Sequence, residues 1–241
     1  MWPGRHRGFA VVVAVVLVVA VVWGVKLVQV ARSVQRNADY WSQPQGQLGG
    51  LLYVALGDSA AQGIGASQPD RGYVGLLARR LRQRTGRPVQ VINLSRSGAR
   101  IRDVVDTQLP ALAALGRAPD VLTVGIGGND MASYDRRTFT VAVEGLTAAL
   151  PVGSYVADVP YFMHGRWERN AQQAADLLRV STSRHGLRPV ALHASLQAQG
   201  WRGMVTQFAA DWFHPNDRGY RIWAEAFWRE IAQHLAGLAP R

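Results

Sequence analysis

Five short apolar runs, separated by longer stretches with helical periodicity, constrain the fold of this chain more than any other feature. The runs lie near Leu51–Leu56, Val89–Leu94, Val121–Ile126, Ser154–Val159 and Pro189–His193. Helical patterns occupy Tyr73–Thr85, Ile101–Leu115, Thr138–Leu150 and Arg166–Arg184. A last helix is predicted from just after Pro215, capped by Asn216, to about Leu235. Apolar strands alternating with helices are typical of a parallel sheet covered on both faces, so we expect an α/β fold around five parallel strands.

The length of 241 residues and the hydrophobic fraction of 48% indicate one large domain with a substantial core. The chain has no cysteine, which excludes disulfides, thiol chemistry and cysteine metal sites. We divide it into an N-terminal apolar segment, residues 1–32, a polar linker, residues 33–50, and a catalytic domain, residues 51–241. The linker assignment depends on a Gln-, Asn-, Ser- and Gly-rich composition without an apolar period.

The stretch Phe9–Val25 contains 17 residues and no charged or strongly polar side chain. As a helix it would be about 26 Å long, close to the bilayer core of about 30 Å. Three interpretations compete: a cleaved signal peptide, an uncleaved signal anchor and a buried core helix. The core helix is disfavoured because no polar face is present, and the length of the run favours an anchor over a cleaved peptide.

Arg5 and Arg7 precede this apolar run, and positive charge before a span favours a cytoplasmic N-terminus. Lys26, Arg32 and Arg36, on the other side, weaken that preference. We expect a single-pass membrane protein with an extracytoplasmic catalytic domain, or a secreted protein if the segment is cleaved.

The net charge of +11 is compatible with three kinds of partner: nucleic acid, anionic lipid headgroups and acidic envelope polymers. The arginines are scattered over several predicted helices, and no nucleic-acid motif accompanies them. Solvated helix faces explain this charge best, and we expect no nucleic-acid partner.

Three residues suit nucleophilic catalysis. Ser59 follows the first apolar run directly, in Gly57-Asp58-Ser59, while Asp211 precedes His214 by three residues near the C-terminus. A serine hydroxyl needs a base to take its proton, and an imidazole oriented by a carboxylate is the commonest such base. Taken alone, the Gly-Asp-Ser tripeptide is more typical of a structural turn than of a catalytic site.

Two further groups follow the second and third runs and are expected at the same edge of the sheet as Ser59. Gly98 ends the segment 93–98, and Asn129 lies in Gly127-Gly128-Asn129-Asp130. Acyl transfer passes through an oxyanion that preorganised donors stabilise by about 3 to 4 kcal/mol each. The Asn129 amide and the N–H groups of Gly98 and Ser59 are candidates for that oxyanion hole.

These four blocks, in this order and each at a predicted strand end, resemble the SGNH, or GDSL-like, hydrolases over about residues 51–235. The resemblance implies a flavodoxin-like three-layer α/β/α domain with esterase, lipase, thioesterase or carbohydrate-deacetylase activity. It also implies that no metal or organic cofactor is required. Ser59 would be nucleophile and oxyanion donor, Gly98 and Asn129 further oxyanion donors, His214 the base and Asp211 its orienting residue. The leucine that gives the family its name is Ala60 here, which puts the subgroup in doubt.

The substrate is left open between acetyl or other acyl groups on envelope glycans and acyl lipids such as lysophospholipids or thioesters. Tyr161, Phe162, Met163 and Trp167 either line an acyl pocket or pack in the ordinary way. A non-catalytic envelope-binding protein on the same fold is a further alternative. It is disfavoured because none of the expected catalytic residues is missing.

Overall fold

A computed structural model describes residues 4–235; residues 1–3, at the start of the predicted anchor, and 236–241, at the end of the predicted catalytic domain, lie outside the described residues. One sheet has the strand order β1-β3-β2-β4-β5-β6. Its strands are β1 Gln45–Gly46, β2 Leu51–Gly57, β3 Val89–Asn93, β4 Val121–Gly125, β5 Tyr155–Ala157 and β6 Arg188–Val190. Strands β2 to β6 are parallel and correspond to the five predicted runs. Their order is the flavodoxin-like 2-1-3-4-5.

The short strand β1 was not predicted. It pairs antiparallel with β3 at the edge of the sheet and contains only a glutamine and a glycine. Two residues cannot carry an alternating pattern, so the sequence gives no signal for a sixth strand.

The helices are α1 Gly4–Trp41, α2 Ser59–Gln62, α3 Tyr73–Thr85, α4 Ile101–Asp103, α5 Leu109–Ala113, α6 Arg136–Ala149, α7 Gly165–Arg184, α8 Leu192–Gln197, α9 Gly200–Thr206 and α10 Asp217–Gln233. Short 3₁₀ turns occupy Pro69–Arg71 and Asn129–Ser133. The helix predicted over residues 101–115 is divided by a π turn, Val104–Gln108, which joins α4 to α5. The predicted cap of α10 is confirmed, because the Asn216 side chain accepts the N–H groups of Arg218 and Gly219.

Strand β2 lies at the centre of the sheet, and all seven of its residues are buried. Leu51 and Tyr53 face one apolar cluster, which includes Phe227 of α10. Leu52 and Val54 face the other cluster, to which α6 and α7 contribute. Helices therefore cover both faces, and the predicted three-layer architecture is confirmed.

The linker interpretation of residues 33–50 requires a correction. Helix α1 continues without interruption to Trp41, and Ser33, Asn37 and Trp41 on one of its faces are 3, 0 and 6% exposed. Their spacing of four residues places them one above another on the helix. The polar residues that suggested a loop thus form a helix face that packs on the catalytic domain.

Two hydrogen bonds join this helix face to the helix that carries Ser59. The carbonyl of Gln62, the last residue of α2, accepts the Asn37 Nδ2 amide at 2.9 Å and the Trp41 Nε1–H at 3.1 Å. Both bonds are buried. An unpaired polar group in the protein interior costs free energy, so these bonds stabilise the contact between α1 and α2. The C-terminal part of α1 is therefore an integral part of the domain.

The N-terminal part of α1 has the length and composition of a membrane span. Within the described residues, one helical segment, Val15–Trp41, is long and apolar enough to cross a membrane. No residue in its most apolar stretch is buried against the rest of the protein. A signal anchor and a signal peptide both fit this observation.

We predict that Trp41→Ala lowers the free energy of unfolding of the full-length protein by about 3 kcal/mol. The substitution removes a buried indole together with its bond to Gln62. Chemical denaturation in detergent micelles measures the change. Val34→Ala, an apolar truncation at an exposed position of the same helix, is the matched control and should stay within about 0.5 kcal/mol of the parent. Equal effects of both substitutions would contradict a docked helix face.

A buried carboxyl group connects the end of β5 to the start of α8. Asp158 accepts the backbone N–H of His193 at 2.7 Å. Burial raises the pKa of Asp158 to about 7, although the N–H groups of His193 and Leu192 oppose that rise. The folded protein consequently holds a proton at this position over a range in which the unfolded chain does not.

Because the folded pKa of Asp158 is raised, its contribution to stability is complete below about pH 4 and is lost as the pH rises through about 7. We predict that Asp158→Asn removes this loss, since an amide oxygen still accepts the His193 N–H. Melting temperatures between about pH 5 and pH 8 should fall less in the variant than in the parent. Asp106→Asn, at an exposed carboxylate paired with Arg102, should leave the parent's pH dependence unchanged.

Candidate active site

Ser59 lies where the central strand ends. It begins α2 directly after Gly57 and Asp58, and it is 7% exposed. The Asp58 side chain caps this helix by accepting the N–H of Ala60 at 2.9 Å. A Cβ at Gly57 would come within 2.3 Å of the Gly125 carbonyl oxygen on β4, so only glycine allows the chain to turn here.

A further side chain, which was not predicted from the sequence, holds this turn. Gln108, at the end of the π turn, accepts the Gly57 N–H and donates to the Gly57 carbonyl, both at 2.8 Å. Gln108 is 2% exposed, so both bonds are shielded from water. It fixes the peptide groups two residues before Ser59. A glutamine within an amphipathic helix pattern gives no sequence signal for this contact.

The loop that carries His214 is held by backbone contacts and by one asparagine. Asn216 donates from its side chain to the carbonyls of Thr206 and Phe208 at 3.0 and 2.9 Å, besides capping α10. Trp212 adopts a positive φ of 54°, a conformation that costs free energy unless its surroundings fix it. The loop is therefore tied to both α9 and α10.

Gly65 allows this loop to approach the Ser59 segment. With φ at 89°, a Cβ at Gly65 would lie 2.5 Å from the Pro215 carbonyl oxygen and 3.0 Å from the His214 Cβ. A larger residue at position 65 would clash with the Pro215 carbonyl and would push the His214 side chain from its place. Gly65 is a second position that sequence reasoning missed, since its partner lies about 150 residues away.

The structure brings Ser59, His214 and Asp211 into one hydrogen-bonded chain. His214 Nε2 lies 2.9 Å from Ser59 Oγ, and His214 Nδ1 lies 2.6 Å from Asp211 Oδ2. The other Asp211 oxygen, Oδ1, accepts the N–H groups of Phe213 and His214 at 3.1 and 3.0 Å. Both carboxylate oxygens are thereby engaged, which fixes the plane of the carboxylate against the imidazole.

Asp211 belongs to this hydrogen-bonded chain and Asp58 lies near it, and the pKa values of their carboxyl groups shift in opposite directions. Burial alone would raise the pKa of Asp211, but hydrogen bonds from the His214 ring and from two backbone N–H groups hold it below its ordinary value. Burial raises the pKa of Asp58 to about 6, and the Ala60 N–H and His214 oppose that rise. The carboxylate beside the imidazole is therefore the one that stays ionised at lower pH.

Asn129 lies in the first turn after β4 and lines the same cavity as Ser59 and His214. Its Nδ2 donates to the Ala99 carbonyl at 2.9 Å. An amide nitrogen has two N–H groups, so one bond leaves the second for another acceptor. Gly98 precedes Ala99 in the exposed turn after β3, outside the cavity lining. Asn129 is thus connected through Ala99 to the segment that contains Gly98.

A cavity of about 120 Å³ opens beside Ser59. Apart from the polar residues named above, its lining is mainly apolar and includes Ile126, Pro160, Tyr161, Phe162, Met163, Leu196, Met204, Trp212, Phe213 and Trp223. Tyr161, Phe162 and Met163 of the expected acyl pocket lie in this lining. Trp167 does not, and its ring centre lies 5.9 Å from that of Phe162.

The segment that follows β5 is fixed from α7 and α8. Glu168 Oε2 accepts the Phe162 N–H at 2.8 Å, and Glu168 Oε1 lies 3.0 Å from His193 Nε2. The Tyr161 hydroxyl donates to the Met163 carbonyl at 2.9 Å. These bonds hold the aromatic wall of the cavity in place.

Among the described residues, no group of three His, Asp or Glu side chains is arranged to hold a metal ion.

The amino-acid sequence of this chain matches one protein family. The family model described as the GDSL-like Lipase/Acylhydrolase family matches residues 55–222, which include the whole hydrogen-bonded chain. No curated protein sequence matches this chain at the level required of a relative.

Several solved structures share the fold. An α/β hydrolase from the metagenome of Lake Arreo, Spain, is 24% identical, with a TM-score of 0.62 over 76% of this chain and 95% of its own. The lipase/acylhydrolase from Enterococcus faecalis is 19% identical, with a TM-score of 0.62 over 76% and 96%. An acetylxylan esterase from Geobacillus stearothermophilus is 21% identical, with a TM-score of 0.55 over 75% and 94%.

The family match covers more than half of the chain, and the solved structures share its fold. The family and the fold that the sequence suggested are both confirmed. The chain therefore belongs to the GDSL-like lipase/acylhydrolase family and is a carboxylic ester hydrolase.

Proposed function

We propose that the protein is a serine ester hydrolase in which Ser59 is the nucleophile, His214 the general base and Asp211 the residue that orients the base. The observation that carries this assignment is the hydrogen-bonded chain from Ser59 Oγ through the imidazole to the Asp211 carboxylate, with distances of 2.9 and 2.6 Å. Such a chain is the arrangement that activates a serine hydroxyl.

In the first half of the reaction, His214 Nε2 takes the proton of Ser59 as Oγ attacks the ester carbonyl. The tetrahedral intermediate collapses, and the alcohol leaves with the proton from His214. Water then attacks the acyl-enzyme, again giving its proton to His214, and the acid is released as Ser59 regains its hydrogen. Asp211 keeps the Nδ1–H of the ring in place and stabilises the imidazolium that forms twice in each cycle.

We assign the oxyanion hole to the second Asn129 N–H together with the backbone N–H groups of Ser59 and Gly98. The support for Asn129 is its place in the cavity lining beside Ser59 and His214. The support for Gly98 is indirect, through the bond from Asn129 to the adjacent Ala99. Donors fixed before the reaction stabilise the charge without reorganisation at the moment that it develops.

The substrate class that fits best is an ester with an apolar acyl group, because the cavity lining beyond the polar groups is mainly aromatic and aliphatic. Acetyl groups on envelope glycans are the alternative. We further propose that residues 1–32 act as an uncleaved anchor with the N-terminus in the cytoplasm. The catalytic domain, residues 51–241 together with the docked end of α1, would lie on the other side of the membrane.

Ser59→Ala should abolish covalent labelling by a fluorophosphonate probe and reduce ester hydrolysis by about 10⁴-fold or more, because the acyl-enzyme forms on Ser59 Oγ. In-gel fluorescence and p-nitrophenyl butyrate hydrolysis are the measurements. Ser183→Ala, at an exposed position on α7, is the control and should behave as the parent. Labelling that persists in Ser59→Ala would overturn the nucleophile assignment.

Asp211→Asn should lower kcat by about 10³-fold or more with little change in KM. The amide oxygen can still accept the N–H groups of Phe213 and His214, but an NH₂ group facing Nδ1 favours the imidazole tautomer that cannot take the Ser59 proton. Steady-state kinetics on the same ester measure the effect. Asp176→Asn, which removes an exposed carboxylate paired with Arg179, should leave kcat unchanged. A parent-like kcat in Asp211→Asn would exclude this role.

A further inference from the structure

Five large apolar side chains are exposed around the mouth of the cavity, and we call this set the rim. Its members are Trp201, Met204 and Val205 of α9 and Trp212 and Phe213 of the loop before α10, with exposed fractions of 70, 37, 52, 55 and 49%. Three of them, Met204, Trp212 and Phe213, also line the cavity. A cluster of exposed apolar side chains beside a binding site marks an interaction surface.

The loop that carries Trp212 and Phe213 of the rim is bonded to helix α1. The Trp23 indole N–H donates to the Ala210 carbonyl at 2.9 Å, a contact between residues 187 positions apart. Ala210 immediately precedes Asp211 and lies two residues before Trp212. The catalytic loop and its part of the rim therefore lie beside the Trp23 turn of α1.

The position of Trp23 along α1 gives the height of this contact in a bilayer. The uncharged stretch Phe9–Val25 is about 26 Å long as a helix, close to the thickness of a bilayer core. Trp23 lies in the last turn of that stretch, and Lys26 follows three residues later. Tryptophan is enriched at the boundary between headgroups and acyl chains, so a loop bonded to Trp23 lies at that boundary.

The orientation of the domain against α1 is fixed at two heights. Trp23, Val30 and Asn37 are spaced seven residues apart and lie on one face of the helix. At the upper end, Asn37 and Trp41 are buried and bonded to Gln62. The domain is thus held along about 27 Å of helix, from Trp23 to Trp41, which prevents the rim from turning away from the membrane.

We propose that the rim inserts into the headgroup region of the bilayer that α1 spans, and that the cavity opens toward acyl lipids of that bilayer. Basic residues suit this placement, since Lys26 is one turn beyond Trp23 and the Arg202 guanidinium lies 5.8 Å from the Trp201 ring centre. Both can meet anionic headgroups. The substrate class rests on the proposed esterase function, whereas the orientation of the rim does not.

The orientation is tested with the full-length chain in vesicles of phosphatidylcholine and phosphatidylglycerol. Because the chain has no cysteine, Trp201→Cys and Val205→Cys can each carry one spin label, whose accessibility to oxygen and to a water-soluble nickel complex reports depth. Val141→Cys on α6, 70% exposed, is the matched control. We expect oxygen-favoured labels in the rim and a nickel-favoured label at the control. Rim labels as accessible to nickel as the control would overturn the proposal.

The lipid substrate is tested with the double variant Trp201→Ser, Val205→Ser, neither of which lines the cavity. Hydrolysis of a long-chain acyl lipid held in the vesicles should fall about tenfold, because two apolar anchors leave the interface. The double variant should hydrolyse soluble p-nitrophenyl acetate at a rate within about twofold of the parent rate. The control variant Val141→Ser should hydrolyse both substrates within the same range of the parent rate.

The possible results separate the two proposals. An unchanged vesicle rate in the double variant, or an equal loss on both substrates, would overturn lipid access through the rim. A parent protein that cleaves neither ester while its rim labels lie in lipid would overturn the esterase function and leave the orientation supported.

Discussion

The close pairing of β2 with β4 at their carboxyl ends is the constraint on which the site depends. Gly57 lies opposite Gly125 in the register, and no side chain fits between them. The chain must turn immediately after this contact, and Asp58 and Gln108 fix the direction of the turn. Ser59 is consequently placed by the fully buried central strand of the sheet instead of by a loop.

The opposite side of the site is built differently. His214 and Asp211 lie in a loop whose shape depends on Asn216, whose backbone and side chain bond to the chain leaving α9, and on a strained Trp212. Gly65 lets this loop approach the serine segment. The two halves of the hydrogen-bonded chain therefore come from a sheet edge and a braced loop. Both halves contact α1, the serine half through Gln62 and the loop half through Ala210.

The sequence predicts what local patterns encode. Continuous apolar runs indicated β2 to β6, and strand ends followed by Ser59, Gly98 and Asn129 indicated one edge of the sheet, which the topology confirms. Gln108 and Gly65 could not be predicted, because their roles depend on partners distant in sequence. The linker prediction for residues 33–41 was wrong for a related reason. Asn37 is polar, as a loop residue would be, but its side-chain amide donates to the Gln62 carbonyl inside the protein.

The uninterrupted course of α1 into the domain has a consequence for kinetics. A catalytic domain on a flexible tether searches a volume, and its encounters depend on bulk concentration and tether length. Here no free residues separate the apolar segment from the buried face at Ser33, Asn37 and Trp41. With α1 in a bilayer, the active site keeps one height above it, and encounters depend on lateral diffusion and on the mole fraction of substrate in the plane.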